Sequence, residues 1–262
     1  MAAYPDAVVR RPRAALRYLL RDREFTNLTY EIENVDELVT FVADALGHPR
    51  DAIAGYVAEP FADERLLGPL RAALRARRDR NPEPRFGRRL GWYAIVRATR
   101  PELVVETGVH DGLGSALVLR ALERNGAGTL YGFDVDPQAG WLVPQELRGR
   151  YQLVLGDVRE TLPRELADKS VDVFIHDSLH TYEHEHFELE LAVAHSGASA
   201  ILASDNAHAT TALRDVCTEH GLDYALFRER PRHHFYPGAG LGLGLSRSAP
   251  HTSSTSSSVS SG

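Results

Sequence analysis

The sequence VVETGVHDGLGS, residues 104–115, joins a short apolar run to a glycine-rich turn and a helical stretch. Gly108 permits a tight turn after Glu106, and Gly112 opens the helix, so backbone amides can approach a ligand closely. A dinucleotide fingerprint would require glycine at position 110, where this chain has His110. The turn therefore predicts that a ligand binds at the end of this strand, but it does not match the dinucleotide-binding fingerprint.

From residue 102 onward, short apolar runs alternate with helical stretches on both sides of this turn. Such alternation predicts βαβ units and therefore an α/β fold with a doubly wound, mostly parallel sheet. LGLGLS, residues 241–246, is predicted to add a final antiparallel strand, which makes seven. The six preceding runs are LVVE, TLYGFD, YQLVLGD, VDVFIHD, AILASD and DYALF.

Residues 1–100 have helical patterns instead. One helix is predicted to end before Gly47, a second lies within ADERLLGPLRAALRARR, and a third covers residues 88–99. We therefore predict an N-terminal helical extension, residues 1–100, that caps the site or mediates homo-oligomerisation. The α/β domain follows at residues 101–247, and the Ser/Thr-rich segment 248–262 is predicted to be a disordered tail.

Composition narrows the function classes. The net charge of −6 gives no indication of nucleic acid as a partner, and no apolar run is long enough to span a membrane. Cys217 is the single cysteine, which excludes an internal disulfide and is typical of a cytoplasmic protein. The Arg-rich stretch that includes Arg71 and Arg80 is interpreted as a solvated helix face.

Two further strand ends carry acids in regular order after Glu106. Asp134 closes TLYGFD, where a carboxylate can bind ribose hydroxyls, and Asp157 follows YQLVLG, where an acid can accept from an adenine amino group. Each acid alone is more simply a cap or turn residue. The ordered set favours a bound nucleoside.

The stretches VFIHDSLHTYEH, residues 173–184, and ILASDNAH, residues 201–208, also end in oxygen-bearing side chains. If both are neighbouring parallel strands, Asp177, Asp205 and Asn206 meet at one edge of the sheet. Two carboxylates and an amide oxygen suit Mg²⁺. His180 stands three residues beyond the first ligand, and Lys169, the only lysine, lies at the opposite edge, so His180 is the candidate base.

The order and spacing resemble the class I S-adenosylmethionine-dependent methyltransferases over residues 100–246. Asp-x-x-His followed by Tyr-Glu is similar to the cation-dependent O-methyltransferases of natural-product biosynthesis, the macrolide-sugar and cephalosporin-type group. The resemblance implies a Rossmann-like fold with S-adenosylmethionine and Mg²⁺ as cofactors. The cofactor-binding positions it implies are Glu106, Gly108, Gly112, Ser115, Asp134, Asp157 and Asp177; the metal ligands are Asp177, Asp205 and Asn206, with His180 as base.

Several histidines keep a second interpretation. His180 is alternatively a substrate-contacting or capping residue, and His184 is a hydrogen-bonded core histidine or half of a zinc pair with His180. Both would lie on one helical face. His176 is expected on the other sheet face, and His208 either lines the pocket or does not.

The resemblance thus implies methyl transfer to a hydroxyl of a small sugar or polyketide-type molecule. A non-catalytic S-adenosylmethionine-binding accessory protein is the alternative. A nicotinamide-dependent oxidoreductase is disfavoured because the dinucleotide fingerprint is missing.

Overall fold

A computed structural model describes residues 9–10, 12–21 and 29–246 of the 262-residue chain. A seven-stranded sheet lies at its centre, with the strand order β3-β2-β1-β4-β5-β7-β6. The five strands from β3 to β5 are parallel, and β7 runs antiparallel between β5 and β6. The strands are β1 (Leu103–Thr107), β2 (Thr129–Asp134), β3 (Tyr151–Leu155), β4 (Val171–His176), β5 (Ser196–Asp205), β6 (Asp223–Arg228) and β7 (Gly240–Leu245).

Helices cover the sheet and precede it. Short 3₁₀ turns occupy Glu59–Ala62 and Gln145–Arg150. The helices are α1 (Pro12–Arg21), α2 (Val35–Leu46), α3 (Arg50–Ala58), α4 (Glu64–Arg75), α5 (Arg89–Thr99), α6 (Leu113–Asn125), α7 (Val158–Leu166), α8 (Tyr182–Ala194) and α9 (Ala212–Glu219). No helix of the described residues is both long and apolar enough to cross a bilayer.

The strand sequences explain their place in the sheet. All five residues of β1 are buried, as expected for a central parallel strand covered on both faces. Glycine alternates with leucine along β7 because α9 packs closely on its glycine face. A Cβ at Gly244 would lie 2.6 Å from Cys217 Sγ, so a larger residue would push this helix away.

The N-terminal helices share a hydrophobic core with the sheet. Trp92 and Tyr93 of α5 are almost fully buried in the same cluster as Val104 of β1. The contact is close, because a Cβ at Gly114 of α6 would lie 2.5 Å from the Trp92 ring. Helix α5 is therefore held firmly against the domain, and its first turn reaches the carboxyl edge of the sheet.

The predicted α/β sheet of seven strands with an antiparallel last pair is confirmed. Cys217 is a free cysteine and is buried. The pattern did not predict the separate helix α3, whose nine residues bury only Ile53 and Val57. The predicted tail, residues 248–262, lies outside the described residues.

Candidate active site

The first turn of the site follows β1 at the point where the strand order reverses. Gly108 has φ +82°, and its N–H donates to the carbonyl of Phe133 at 2.8 Å. A Cβ at Gly108 would lie 2.1 Å from the backbone oxygen of Asp177, which follows β4. Only glycine therefore allows the ends of β1 and β4 to approach so closely, and open α/β sheets bind ligands at this switch point.

The two predicted nucleoside-binding acids are held by local backbone bonds. Asp134 accepts from the amides of His110 at 2.7 Å and Asp136 at 2.8 Å. Asp157 caps α7 by accepting from the Arg159 amide at 2.9 Å. The turn-and-cap interpretation and the ligand-binding interpretation are compatible, because both carboxylates also line a cavity.

This cavity has a volume of about 580 Å³, within the range of small-molecule sites. Its wall includes Gly108, Asp134, Asp157 and Asp177, four of the predicted cofactor-binding residues. Val135 and Leu179 also line it, and they are 73% and 58% exposed although apolar. Acids beside exposed apolar side chains suit a ligand with a polar sugar and a flat, apolar base.

The remaining predicted cofactor residues lie deeper. Glu106 is buried, and burial raises its pKa to about 8 despite a hydrogen bond from Ser115. The Ser115 hydroxyl is fully buried and donates to this carboxyl, so it supports Glu106 from behind. Gly112 begins α6 with φ +87° and packs against Gly140.

The reactive end lies where β4 and β5 finish. One donor atom each of Asp177, His180 and Asp205 lie within 4.8 Å of one another. His180 Nε2 is 3.6 Å from Asp177 Oδ1 and 2.8 Å from the side-chain nitrogen of Asn206. The structure thus brings together all four residues predicted for metal binding and proton transfer.

Two arginines that sequence reasoning did not select also point into this cluster. Arg88 Nε donates to Asp205 Oδ1 at 2.6 Å, and its Nη2 donates to Oδ2. Arg88 Nη1 donates to Glu229 at 2.7 Å. Arg89 Nη2 lies 3.4 Å from Asp177 Oδ2. The adjacent pair Arg88-Arg89 at the start of an apolar helix is the only sequence signal for them.

These charges set the protonation of the cluster. Burial alone would raise the pKa of Asp177, but protonated His180, whose Nε2 lies 3.6 Å away, and the charge of Arg89 hold this pKa below its ordinary value. Burial alone would lower the pKa of His180, but its contacts with Asp177 raise it overall. His180 is therefore a better proton acceptor than a free histidine.

The donor set fits a hard divalent cation. Asp177 and Asp205 offer carboxylate oxygens in the cluster, and Asn206 offers an amide oxygen that lies 3.5 Å from Arg88 Nη2. Carboxylate oxygens can accept more than one bond. Arg88 already neutralises much of the charge of Asp205, which is fully buried. A cation here would therefore share Asp205 with a guanidinium.

Behind the cluster, four donors converge on the buried carboxylate of Glu188 in α8. His176 Nδ1 and Thr107 Oγ1 lie 2.6 Å from Oε2, while Ser178 Oγ and His184 Nε2 lie 2.8 and 2.9 Å from Oε1. Burial would raise the pKa of Glu188, but the hydrogen bonds from the two histidines lower it to about 2. Glu188 therefore stays ionised.

The histidine predictions are partly corrected by these contacts. His184 is a hydrogen-bonded histidine, as one interpretation held, and its pairing with Glu188 opposes a zinc pair with His180. His180 precedes α8, which begins at Tyr182, so it is not on a helical face with His184. The SLHT sequence before the helix, residues 178–181, forms a loop that turns His180 toward Asn206.

Two further expectations have clear outcomes. His208 accepts from the Gly240 amide, and burial together with the charges of Arg228 and Arg88 lowers its pKa to about 4. His208 therefore stabilises the start of β7. Among the described residues, those that line the cavity do not include His208. Arg80 is not on a solvated face: it is buried and paired with Asp111 beside the glycine turn.

Comparisons with known proteins agree with this geometry. Residues 105–207 match a family model described as a methyltransferase domain. Among curated proteins, none matches the sequence. A cofactor-bound protein from MTB has the same fold, with a TM-score of 0.52, 20% identity, and coverage of 82% of this chain and 99% of its own.

Two other solved structures are similar. A methyltransferase from Geobacter sulfurreducens has a TM-score of 0.50 at 17% identity, covering 71% of this chain and 91% of its own. A proposed O-methyltransferase from Klebsiella pneumoniae has a TM-score of 0.50 at 15% identity, covering 81% and 97%. The match of residues 105–207 to a methyltransferase-domain model and the similar solved folds thus confirm the predicted Rossmann-like methyltransferase fold.

Proposed function

We propose that the protein is an S-adenosylmethionine-dependent O-methyltransferase that uses a divalent cation and acts on a hydroxyl of a small molecule. One observation carries this proposal: the cavity lined by Gly108, Asp134 and Asp157 ends at Asp177, which is also the first residue of the His180 cluster. A cofactor pocket and a cluster able to accept a proton therefore meet at one carboxylate. O-methyl transfer is also the activity proposed for the similar Klebsiella pneumoniae protein.

Each of the cavity residues would contact a different part of the cofactor. Asp134 would accept from the ribose hydroxyls and Asp157 from the adenine amino group, with Val135 and Leu179 against the base. Glu106 and the turn at Gly108 would border the methionine part, next to the reactive end. S-adenosylmethionine supplies, when bound, a methyl group on a positively charged sulfur.

The chain's own residues would then handle the substrate proton. In this reaction the substrate oxygen would take the methyl group, and the sulfur of the cofactor would keep the electron pair of the broken carbon–sulfur bond. His180 Nε2, which lies 3.6 Å from Asp177 Oδ1, accepts the hydroxyl proton. Most of the remaining contribution is positioning and charge stabilisation.

Asp177, Asp205 and Asn206 would hold the cation, for which we propose Mg²⁺. When bound, such a cation would supply Lewis-acid chemistry, which would lower the pKa of a substrate hydroxyl beside it. A substrate with a second oxygen near the reacting hydroxyl could place both near the cation. A sugar or polyketide-type natural product has this chemistry.

Titration with S-adenosylmethionine and S-adenosylhomocysteine, with and without Mg²⁺, tests the proposal. We expect Asp134→Ala to weaken S-adenosylmethionine binding by about tenfold, as for loss of a charge-assisted hydrogen bond. Asp136→Ala is the matched control, because this acid bonds the Gln138 amide in the same turn. It should leave binding unchanged.

Absence of S-adenosylmethionine binding would contradict the proposal. Binding of S-adenosylmethionine without release of S-adenosylhomocysteine, across a panel of hydroxylated sugars and polyketides with Mg²⁺ present, would favour the accessory role instead. Turnover that is unchanged by chelation of divalent cations would remove the metal from the mechanism.

A further inference from the structure

The rings of His176 and His180 meet edge to face beneath the reactive cluster. Their centroids are 5.3 Å apart, and their planes cross at 82°. Each ring has one buried nitrogen that finds no hydrogen-bond partner among the described residues: Nε2 of His176 and Nδ1 of His180. Unpaired buried polar atoms are costly, so two of them on adjacent rings require a physical reason.

The contacts of Asn206 and Arg88 determine which nitrogen of His180 carries its proton. The oxygen of the Asn206 amide lies 3.5 Å from Arg88 Nη2, which can only donate, so the amide nitrogen faces His180. That nitrogen donates to His180 Nε2 at 2.8 Å. Nε2 is therefore the acceptor in the neutral ring, and Nδ1 carries the proton.

His176 has the complementary arrangement. Its Nδ1 lies 2.6 Å from Glu188 Oε2, and Glu188 is ionised and can only accept. The proton of neutral His176 is thus on Nδ1, and Nε2 presents a lone pair. One orphaned nitrogen is a donor and the other is an acceptor.

We propose that His176 and Glu188 are positioning residues for His180: His176 Nε2 accepts the Nδ1–H of His180 through one water, and so fixes the ring with Nε2 toward the cluster of Asp177 and Asp205. This inference rests on the proposed role of His180 as base. Glu188 bonds His176, and the His176 ring packs edge to face against the His180 ring, so the three residues are contiguous from α8 to the reactive end. A histidine whose second nitrogen is bonded keeps one tautomer and one ring orientation.

The test combines imidazole NMR with kinetics on the full chain. Long-range ¹H–¹⁵N spectra of the wild type should show His180 protonated at Nδ1, with a slowly exchanging proton. In His176→Leu this proton should exchange rapidly, and the Nε2-protonated form should appear.

Once a substrate is known, the kcat of His176→Leu should be about tenfold lower than that of the wild type, as expected for loss of one orienting hydrogen bond. The Kd for S-adenosylmethionine should change by less than about twofold. His176→Gln, which keeps an acceptor, should restore part of kcat.

His184→Leu is the matched variant, because His184 donates to the same carboxylate but lines the cofactor cavity. It should weaken S-adenosylmethionine binding and leave the His180 imidazole signals as in the wild type. Unaltered His180 signals in His176→Leu would overturn the proposal. The proposal would also be overturned if His176→Leu and His184→Leu lowered kcat to the same extent and lowered the melting temperature to the same extent. That result would indicate a purely structural role for His176.

The NMR result stands whether or not methyl transfer is found. If the protein turns over no substrate but His180 keeps its Nδ1 proton through His176, the proposed function fails and the hydrogen-bonded arrangement remains. If turnover is found and His180 is protonated at Nε2, the arrangement is wrong and the function stands. If His176→Leu does not fold, the wild-type spectrum and the His176→Gln variant still distinguish these results.

Discussion

The two halves of the carboxyl edge are held in place by different means. At the ends of β1–β3, Asp134 and Asp157 are fixed by amides no more than 24 residues away in the chain. At the ends of β4 and β5, Asp205 is fixed by Arg88, which is 117 residues away, and Arg88 is fixed in turn by Glu229. We call these the cofactor half and the reactive half.

Under the proposed function, the difference separates the half that binds the cofactor from the half that accepts the substrate proton. In the cofactor half, each acid keeps exposure to the cavity and needs little beyond its own turn. In the reactive half, buried charges compensate one another, so removal of one leaves another unpaired in a poorly solvated site. Substitutions should therefore have larger consequences in the reactive half.

The largest effect is expected for His180→Ala. Turnover should fall on the order of 10²–10⁴-fold, the usual contribution of a general base, while the affinity for S-adenosylmethionine remains. His186→Ala is the control, because His186 lies on the outer side of α8 near Glu219 and should leave turnover unchanged. Undiminished turnover in His180→Ala would assign proton transfer to another group.

Arg88→Met tests whether long-range charge pairing holds the reactive half. Asp205 and Glu229 would remain buried without their common partner, which typically costs about 3–5 kcal/mol of folding free energy. Urea unfolding followed by circular dichroism measures this loss.

Two variants make the Arg88 result specific. Arg50→Met removes an exposed pair with Asp36 and should change stability little. Arg88→Met/Glu229→Gln removes one of the stranded charges and should recover part of the loss. A stability loss no larger than that of Arg50→Met would show that the two halves are held alike.

The same difference decides what the sequence could predict. The glycine turn, Asp134 and Asp157 depend on local backbone rules, so their positions follow from strand ends and spacing. The meeting of Asp177 with Asp205 follows from parallel neighbouring strands. Arg88 acts only through contacts made by folding, because Asp205 and Glu229 lie 117 and 141 residues away. Glu188 has His184 one helical turn away, but Thr107, 81 residues away, reaches it only in the folded chain.

His180 shows that sequence periodicity can misplace a residue even within one short motif. Periodicity placed it with His184 on one helical face, but α8 begins at Tyr182 and leaves it in the preceding loop. Helix starts are set by local caps and tertiary contacts, and here the contact is with Asn206, 26 residues away.

A smaller effect, dependent on pH, is expected for Glu106. Its pKa in the folded protein is raised to about 8, above the ordinary 4.5, so the folded state binds the proton more tightly than the unfolded state. The resulting stabilisation is complete below about pH 4.5 and is lost as pH rises through about 8. Unfolding free energies without cofactor should show this decline.

Glu106→Gln should remove that decline, because the amide does not titrate. The unfolding free energy of the wild type relative to this variant should therefore fall between about pH 5 and pH 8.5. Glu102→Gln, at an exposed position before β1, is the control and should run parallel to the wild type. Parallel curves for Glu106→Gln would mean that Glu106 is ionised when folded.

The smallest effect is expected in the cofactor half, at Asp157. Asp157→Ala removes the cap of α7 and should cost about 1 kcal/mol of stability, together with a loss of about fivefold in S-adenosylmethionine affinity. Asp157→Ser separates the two roles, because serine caps helices well but is too short to reach the base. Its stability should stay within about 0.5 kcal/mol of the wild type while the affinity falls as in Asp157→Ala. If Asp157→Ser binds S-adenosylmethionine as the wild type does, Asp157 only caps the helix, and adenine recognition depends on the apolar wall at Val135 and Leu179.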